Sequence, residues 1–164
     1  MSLVLPLLTL LSAQAGKADS KKAITKIEGT DVMALLQELG HDPKLQVDEV
    51  GDPLITANNA GTKYLVLFYD CKDHRQCQAI QFRAFYELER PTPLERINDF
   101  NRDKLLGRAY LDVGGDPTIE LTVRLRGGVT RDHLRAERDW FLRALSDFNQ
   151  LMYEVQTAPT IQTL

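Results

Sequence analysis

Three residues could bind a metal ion or exchange electrons, because Cys71, His74 and Cys77 are spaced C-x2-H-x2-C. A structural zinc site has four protein ligands, so Asp70 or Asp73 would have to supply the fourth. The C-x5-C spacing also differs from the C-x2-C motif of thiol oxidoreductases. The pair connects the end of one predicted strand to the start of the next, where a hairpin brings two cysteines within disulfide distance. We predict a Cys71–Cys77 disulfide, with a metal site and free or redox-active thiols as alternatives.

The other residues that could catalyse a reaction form no recognisable motif. His41, His74 and His133 lie in polar segments that resemble loops or a helix start, and Ser146 falls inside a predicted helix. Gly127-Gly128 lacks the Lys and Ser or Thr that follow the glycines of a phosphate-binding loop. We therefore predict no catalytic residues, no metal site and no cofactor. A hydrolase whose active site is assembled from distant residues is the remaining enzymatic alternative.

Hydrophobic periodicity predicts three helices and six strands. The first helix has an apolar stripe that ends before Gly40, the second begins with Thr92 as its N-cap, and the third begins with Thr130 as its N-cap. The predicted strands cover residues 45–48, 54–57, 64–69, 79–88, 108–113 and 119–126. Residues 64–69 are apolar on both faces, which is typical of a central strand covered on both sides, or nearly so.

A turn motif occurs twice in the chain. Gly51-Asp52-Pro53 and Gly115-Asp116-Pro117 each separate two predicted strands that follow a helix. Two αββ units and a long C-terminal helix indicate an α+β fold, with an antiparallel sheet of five or six strands and helices mainly on one face. We expect Asp52 and Asp116 to form hydrogen bonds with the backbone of their own turns.

Two aromatic residues are candidates for an exposed binding face. Phe85 shares its side of a strand with polar residues, and Tyr110 lies on the side of its strand opposite Ala109 and Leu111. We predict that Phe85 and Tyr110 are accessible to a partner, and packing in the core is the alternative.

Residues 1–15 have the pattern of a secretory signal peptide. An apolar run from Leu3 to Leu11 is followed by small residues at Ala13 and Ala15, and the run is too short to span a bilayer. No Lys or Arg precedes the run, and a buried N-terminal helix is the alternative. We expect cleavage after Ala15, a periplasmic or secreted location, a polar linker at 16–27, one folded domain at 28–156 and a tail at 157–164. An oxidising location would favour the disulfide.

The composition is that of a globular protein with 43% hydrophobic and 26% charged residues. The formal net charge of −3 gives no electrostatic reason to expect nucleic acid as a partner, because phosphate binding requires a clustered basic surface. We also expect no stable insertion into a membrane.

The region from Pro93 to Val129 resembles the YbjN-domain family of bacterial sensory transduction regulators. The resemblance rests on Leu94-x2-Ile97-Asn98-x-Phe100-Asn101-Arg102, Gly107-Arg108-Ala109-Tyr110-Leu111-Asp112, Gly115-Asp116-Pro117 and Leu125-x-Gly127-Gly128-Val129-Thr130. It extends over roughly residues 28–152, and the cysteine pair resembles that of exported members. Where the family commonly has an aromatic residue after the basic residue at this helix end, this chain has Leu105-Leu106.

The resemblance implies an α+β fold like that of type III secretion chaperones, which bind other proteins and are often dimers. It implies no catalytic residues. We therefore expect an exported, non-catalytic binding or chaperone-like module that engages another protein or an envelope component, with a homodimer as one expected state. The alternative is a metal- or redox-active protein that uses the loop of Cys71, His74 and Cys77.

Overall fold

The computed structural model describes residues 22–158, which form one antiparallel sheet and three helices. The predicted α+β class is confirmed. The helices are α1 (Gly29–Glu38), α2 (Leu94–Asp103) and α3 (Arg131–Thr157). The strands are β1 (Lys44–Val47), β2 (Pro53–Asn59), β3 (Thr62–Tyr69), β4 (Ala79–Phe85), β5 (Arg108–Leu111) and β6 (Pro117–Arg124).

The six strands lie in the order β1-β2-β3-β4-β6-β5, and every neighbouring pair is antiparallel. Side chains alternate across a strand, so every second residue points toward the helices. On that side, the Phe82 ring stacks on the Phe141 ring of α3 with centroids 5.4 Å apart, and Tyr64 packs against the same ring. Because α3 crosses the middle of the sheet and its apolar stripe is buried, the core forms between a single helix layer and a single sheet.

The repeated turn motif corresponds to a repeated hairpin. In the β1–β2 hairpin, Lys44 pairs with Thr56 and Val47 with Pro53. In the β5–β6 hairpin, residues 108 and 111 pair with residues 120 and 117, a shift of 64 positions for each partner. The sequence repeat therefore reflects two hairpins of the same register, one at each flank of the sheet.

The carboxylates that stabilise the two turns are Asp48 and Asp112, and our expectation for Asp52 and Asp116 was wrong. The Asp112 carboxylate accepts hydrogen bonds from the backbone N–H groups of Gly114 and Asp116, at 2.8 and 2.9 Å. Asp48 accepts from the equivalent N–H groups, those of residues 50 and 52. The carboxylate of the first residue of each turn accepts the hydrogen bonds from inside the turn. The Asp52 carboxylate pairs with His74 instead, and the Asp116 carboxylate makes no hydrogen bond within residues 22–158.

The segment predicted as a linker is partly folded. Ile24 forms backbone hydrogen bonds with Val129, and Ile27 forms them with Cys77. The Ile27 side chain is buried in the core. The folded domain therefore begins before residue 28, because the linker contains apolar residues that the core needs; the predicted signal peptide lies outside the described residues.

The N-cap prediction holds for α3 and fails for α2. Thr130 accepts a hydrogen bond from the backbone N–H of His133 at 3.1 Å. Thr92 is buried with its hydroxyl 4.0 Å from the sulfur of Met152, and α2 begins at Leu94 after Pro93. The Thr92 hydroxyl faces α3 instead of the first turn of α2, so a tertiary contact replaces the local cap.

The turn carboxylates give a stability prediction. The Asp112→Ala variant should lose about 1 kcal/mol of unfolding free energy, because two turn N–H groups lose their acceptor. Asp116→Ala is the matched control, since the Asp116 carboxylate makes no hydrogen bond to another residue in 22–158. Urea unfolding should place the control within about 0.5 kcal/mol of the wild type. Equal losses in the two variants would contradict the assignment.

Candidate functional site

The sheet face that points away from the helices is uncovered by the described residues, and we call it the open face. Its members are the alternate strand residues that pair across the sheet in register. They are Lys44, Gln46, Leu54, Thr56, Asn58, Lys63, Leu65, Leu67, Tyr69, Ala79, Gln81, Arg83, Phe85, Arg108, Tyr110, Thr118, Glu120, Thr122 and Arg124. The prediction that β3 is covered on both sides, or nearly so, was wrong, because its apolar residues Leu65 and Leu67 belong to this face and are partly exposed.

A buried carboxylate lies at the centre of the β4–β6–β5 part of the open face. The Glu120 side chain is only 4% exposed. One of its oxygens lies 3.3 Å from an Arg83 guanidinium nitrogen and accepts a hydrogen bond from the Tyr110 hydroxyl at 3.0 Å. The Arg108 guanidinium binds the other oxygen and also lies over the Tyr110 ring. Two cations and a phenol thus compensate the cost of removing this anion from water.

Arg83 connects this carboxylate to a second group of polar side chains. Its guanidinium donates to the Gln81 side-chain oxygen at 2.6 Å and to the Tyr69 hydroxyl at 3.3 Å. Gln81 in turn donates to the Thr122 hydroxyl at 2.9 Å. The Arg83 Nε is buried and has no hydrogen-bond partner within residues 22–158. The network fixes the guanidinium in place and leaves one of its donors unused.

An apolar groove adjoins the network. It has a volume of about 300 Å³ and lies beside Phe85, whose side chain is 51% exposed. Leu65, Lys63 and Arg83 also line it. An exposed phenylalanine beside partly exposed leucines is the kind of surface that marks a binding site on a soluble domain.

The structure places both predicted binding residues on the open face, in different environments. Phe85 is half exposed, whereas Tyr110 is partly buried by its contacts with Arg108 and Glu120. Burial is the main cause that raises the pKa of the Tyr110 hydroxyl. Tyr110 therefore orders the network, and Phe85 is the more accessible of the two predicted residues.

Sequence reasoning missed the partners Arg83, Glu120 and Tyr69. Arg83 and Glu120 alternate with apolar neighbours, as solvent-facing strand residues do, whereas Tyr69 ends the apolar run of β3. The β4–β6 pairing places Arg83 opposite Glu120, although β5 separates these two strands in the chain. The one available signal was the alternation itself, which assigns each residue to a face but gives no strand neighbour.

The cysteine loop forms a small hairpin that is closed by the Cys71–Cys77 disulfide, with Cα atoms 3.9 Å apart. The backbones of Lys72 and Arg75 pair across its tip. His74 does not approach the sulfurs as a ligand; its Nδ1 lies 2.9 Å from the Asp52 carboxylate on the β1–β2 hairpin. Within residues 22–158, no cluster of three or more His, Cys, Asp or Glu side chains could hold a metal ion.

His41 is buried, although its sequence context indicated a polar loop. Its Nδ1 lies 3.2 Å from both the Asn58 carbonyl and the Tyr64 hydroxyl, and its Nε2 lies 3.3 Å from an Arg138 guanidinium nitrogen. Since the guanidinium can only donate, Nε2 accepts and Nδ1 carries the proton. Burial, and then the positive charge of Arg138, lower the pKa of His41. The ring is a neutral structural group.

The remaining candidate residues, His133 and Ser146, do not form a catalytic arrangement among the described residues. His133 is exposed and pairs with the partly buried Glu137 one turn away on α3. Ser146 is an exposed residue of the same helix. In the region the structure describes, no helix has both the length and the apolar character needed to cross a membrane.

These features define an α+β domain in which the described helices cover one face of the sheet and leave the other uncovered. The sequence matches the family model of YbjN, described as "Putative bacterial sensory transduction regulator", over residues 30–154. Because the match spans most of the chain, the chain belongs to the YbjN family, as the resemblance predicted.

A solved structure has a similar fold. It is the "Crystal structure of YbjN, a putative transcription regulator from E. coli", which aligns with a TM-score of 0.55 and 16% sequence identity. The alignment covers 81% of this chain and 93% of that chain. At this identity, the similarity supports the fold alone. A comparison with curated proteins gives no match.

The buried histidine predicts a pH dependence of stability. His41 has a pKa near 6.5 when unfolded and a lower pKa when folded, so the unfolded chain binds the extra proton first. The unfolding free energy should therefore be constant above about pH 7 and fall as the pH drops through about 6.5, with a slope of at most about 1.4 kcal/mol per pH unit from this group. The charges that face the ring are those of Arg138 and Asp139, both on α3.

Chemical denaturation between pH 7.5 and 5.5 measures this slope. His41→Gln should reduce the slope whatever its effect at pH 7.5, because the titrating group is gone. His133→Gln, which removes an exposed histidine, should retain the wild-type slope. An unchanged slope in His41→Gln would refute the assignment.

Proposed function

We propose that this protein is a non-catalytic regulatory module that binds another protein or an envelope component through its open face. One observation supports this most directly: an uncovered sheet face holds the half-exposed Phe85 beside an apolar groove. Exposed apolar residues cost free energy in water, and burial against a partner recovers it. The family description as a sensory transduction regulator agrees with a role in binding.

The side chains that most often catalyse reactions have structural partners in this protein. His41 is hydrogen-bonded in the core, His74 binds Asp52, and the cysteine sulfurs bind each other. A disulfide provides no thiolate to attack a substrate or bind a metal ion. These contacts support the non-catalytic proposal over the alternative of a metal- or redox-active loop.

We also propose that the protein is exported, with cleavage after Ala15. The support comes from the apolar run and small residues of positions 1–15, together with a disulfide of the kind that persists in oxidising compartments. Homodimer formation stays a prediction that rests on the resemblance to chaperone-like folds.

Site-specific crosslinking tests the proposed binding face. A photoreactive phenylalanine analogue at position 85 should give a covalent adduct with one defined species in cells, because this ring lies at the groove. The same analogue at position 153 is the matched control, since Tyr153 is also exposed but lies on α3. Adduct formation at position 153 alone, or at neither position, would contradict the proposed face.

Intact mass measurement of the protein from its native cells tests export and oxidation together. We expect a chain that begins at Gly16 and lacks the two thiol hydrogens. Native spraying of the same sample should show whether a second copy stays bound. A full-length chain with two free thiols would refute the export proposal.

A further inference from the structure

The open face carries a charge opposite to that of the whole chain. Among the described residues, its cations are Lys44, Lys63, Arg83, Arg108 and Arg124, and its one anion is Glu120. The complete chain has 20 Lys and Arg against 23 Asp and Glu. Because Glu120 is buried under two guanidinium groups, a partner that approaches this face meets mainly positive charge.

Three of these cations have no internal partner. Lys44, Lys63 and Arg124 form neither a hydrogen bond nor an ion pair with any side chain in 22–158. Elsewhere the exposed cations are commonly paired, as Arg131 and Arg135 are with Glu38. Unpaired basic residues around a groove increase the local concentration of anionic groups and orient them.

The groove combines this charge with apolar lining residues. Lys63 and Arg83 flank Leu65 and Phe85, in a volume of about 300 Å³ that has room for a large apolar side chain. Glu87 also lines the groove, so one carboxylate accompanies the two basic residues. A segment that places an apolar side chain between carboxylates would fit this arrangement.

Other occupants fit less well. A second copy docked through the same face would bring like charges together, which opposes association. An anionic bilayer is a broad surface, whereas the apolar residues here lie in a groove between charged side chains instead of at a protruding tip.

We propose that the open face binds an acidic segment of another protein, with an apolar side chain beside Phe85 and carboxylates paired with Lys63 and Arg83. This inference rests on the proposed function and specifies the chemistry of its partner.

Selection from a displayed library of random twelve-residue peptides tests the partner class without assuming a sequence. Peptides retained by the folded, oxidised protein should be enriched in Asp and Glu together with large apolar residues. A selected peptide with a fluorescent label should then bind in solution, with affinity that falls as salt is added.

Charge and apolar variants assign the site. Lys63→Glu should reduce the affinity for the labelled peptide by about tenfold. Lys72→Glu makes the same charge change on the cysteine loop and should alter this affinity less than about twofold. Phe85→Ala should also weaken binding by about tenfold, with Tyr153→Ala as its control. All four side chains are exposed, so thermal melts should show that each variant remains folded.

Each opposing result has its own meaning. Selection of neutral or basic peptides that still require Phe85 would overturn the proposed acidic partner, while the proposal that this face binds a partner would stand. No selected peptides, together with no crosslink at position 85, would overturn both proposals. Binding to vesicles of anionic lipid that is lost in Lys63→Glu, without peptide binding, would assign the face to a membrane. A dimer weakened by Phe85→Ala would assign it to a second copy.

Discussion

The structure depends on one constraint: six strands share a single layer of three helices. Side chains of a strand point alternately to its two faces, and the helices can cover only one of them. Phe82 and Phe141 stack where α3 crosses the sheet, and the aromatic core forms around this contact. The opposite face must then remain in water or be covered by something else. The stability of the domain and the exposure of its second sheet face both follow from this division.

The polar groups of the open face form hydrogen bonds and ion pairs with one another, which stabilises this face in the absence of a covering layer. Glu120 would be costly to bury alone, but Arg83, Arg108 and Tyr110 surround its carboxylate. The same contacts hold the guanidinium groups at the surface in a fixed arrangement. A preorganised basic surface loses less conformational entropy on binding than free side chains would. The network that stabilises the sheet therefore also fixes the positions of the basic groups on this face.

The two flanking hairpins and the disulfide loop support this sheet at its ends. Asp48 and Asp112 order equivalent turns, in which Gly51 and Gly115 adopt left-handed conformations with φ of 93° and 88°. The cysteine loop contacts the first hairpin through His74 and the N-terminal segment through Cys77. The reactive residues of this loop, the two cysteines and His74, thus make structural contacts. The chain belongs to the YbjN family, whose description is that of a sensory transduction regulator.

The sequence by itself predicted the α+β class, a sheet of five or six strands, the repeated hairpins and the disulfide, the last against a metal site and free thiols as alternatives. These features depend on periodicity and on short loops, which are local properties of the chain. The alternation around Phe85 was also enough to identify it as a candidate for exposure. Errors at Thr92 and Asp52 arose because each side chain has a tertiary partner that competes with the local hydrogen bond.

Only the tertiary structure decided which face of the sheet stays open and what lies on it. The apolar run of β3 is compatible with burial on both sides, and the number of helices that reach each face is not a local property. Glu120 meets Arg83 because β4 pairs with β6, a pairing between strands that are not consecutive in the chain. His41 is buried because Arg138, 97 residues away, closes over it. Contacts between distant segments depend on how the whole chain packs, and a pattern of neighbouring residues does not contain that information.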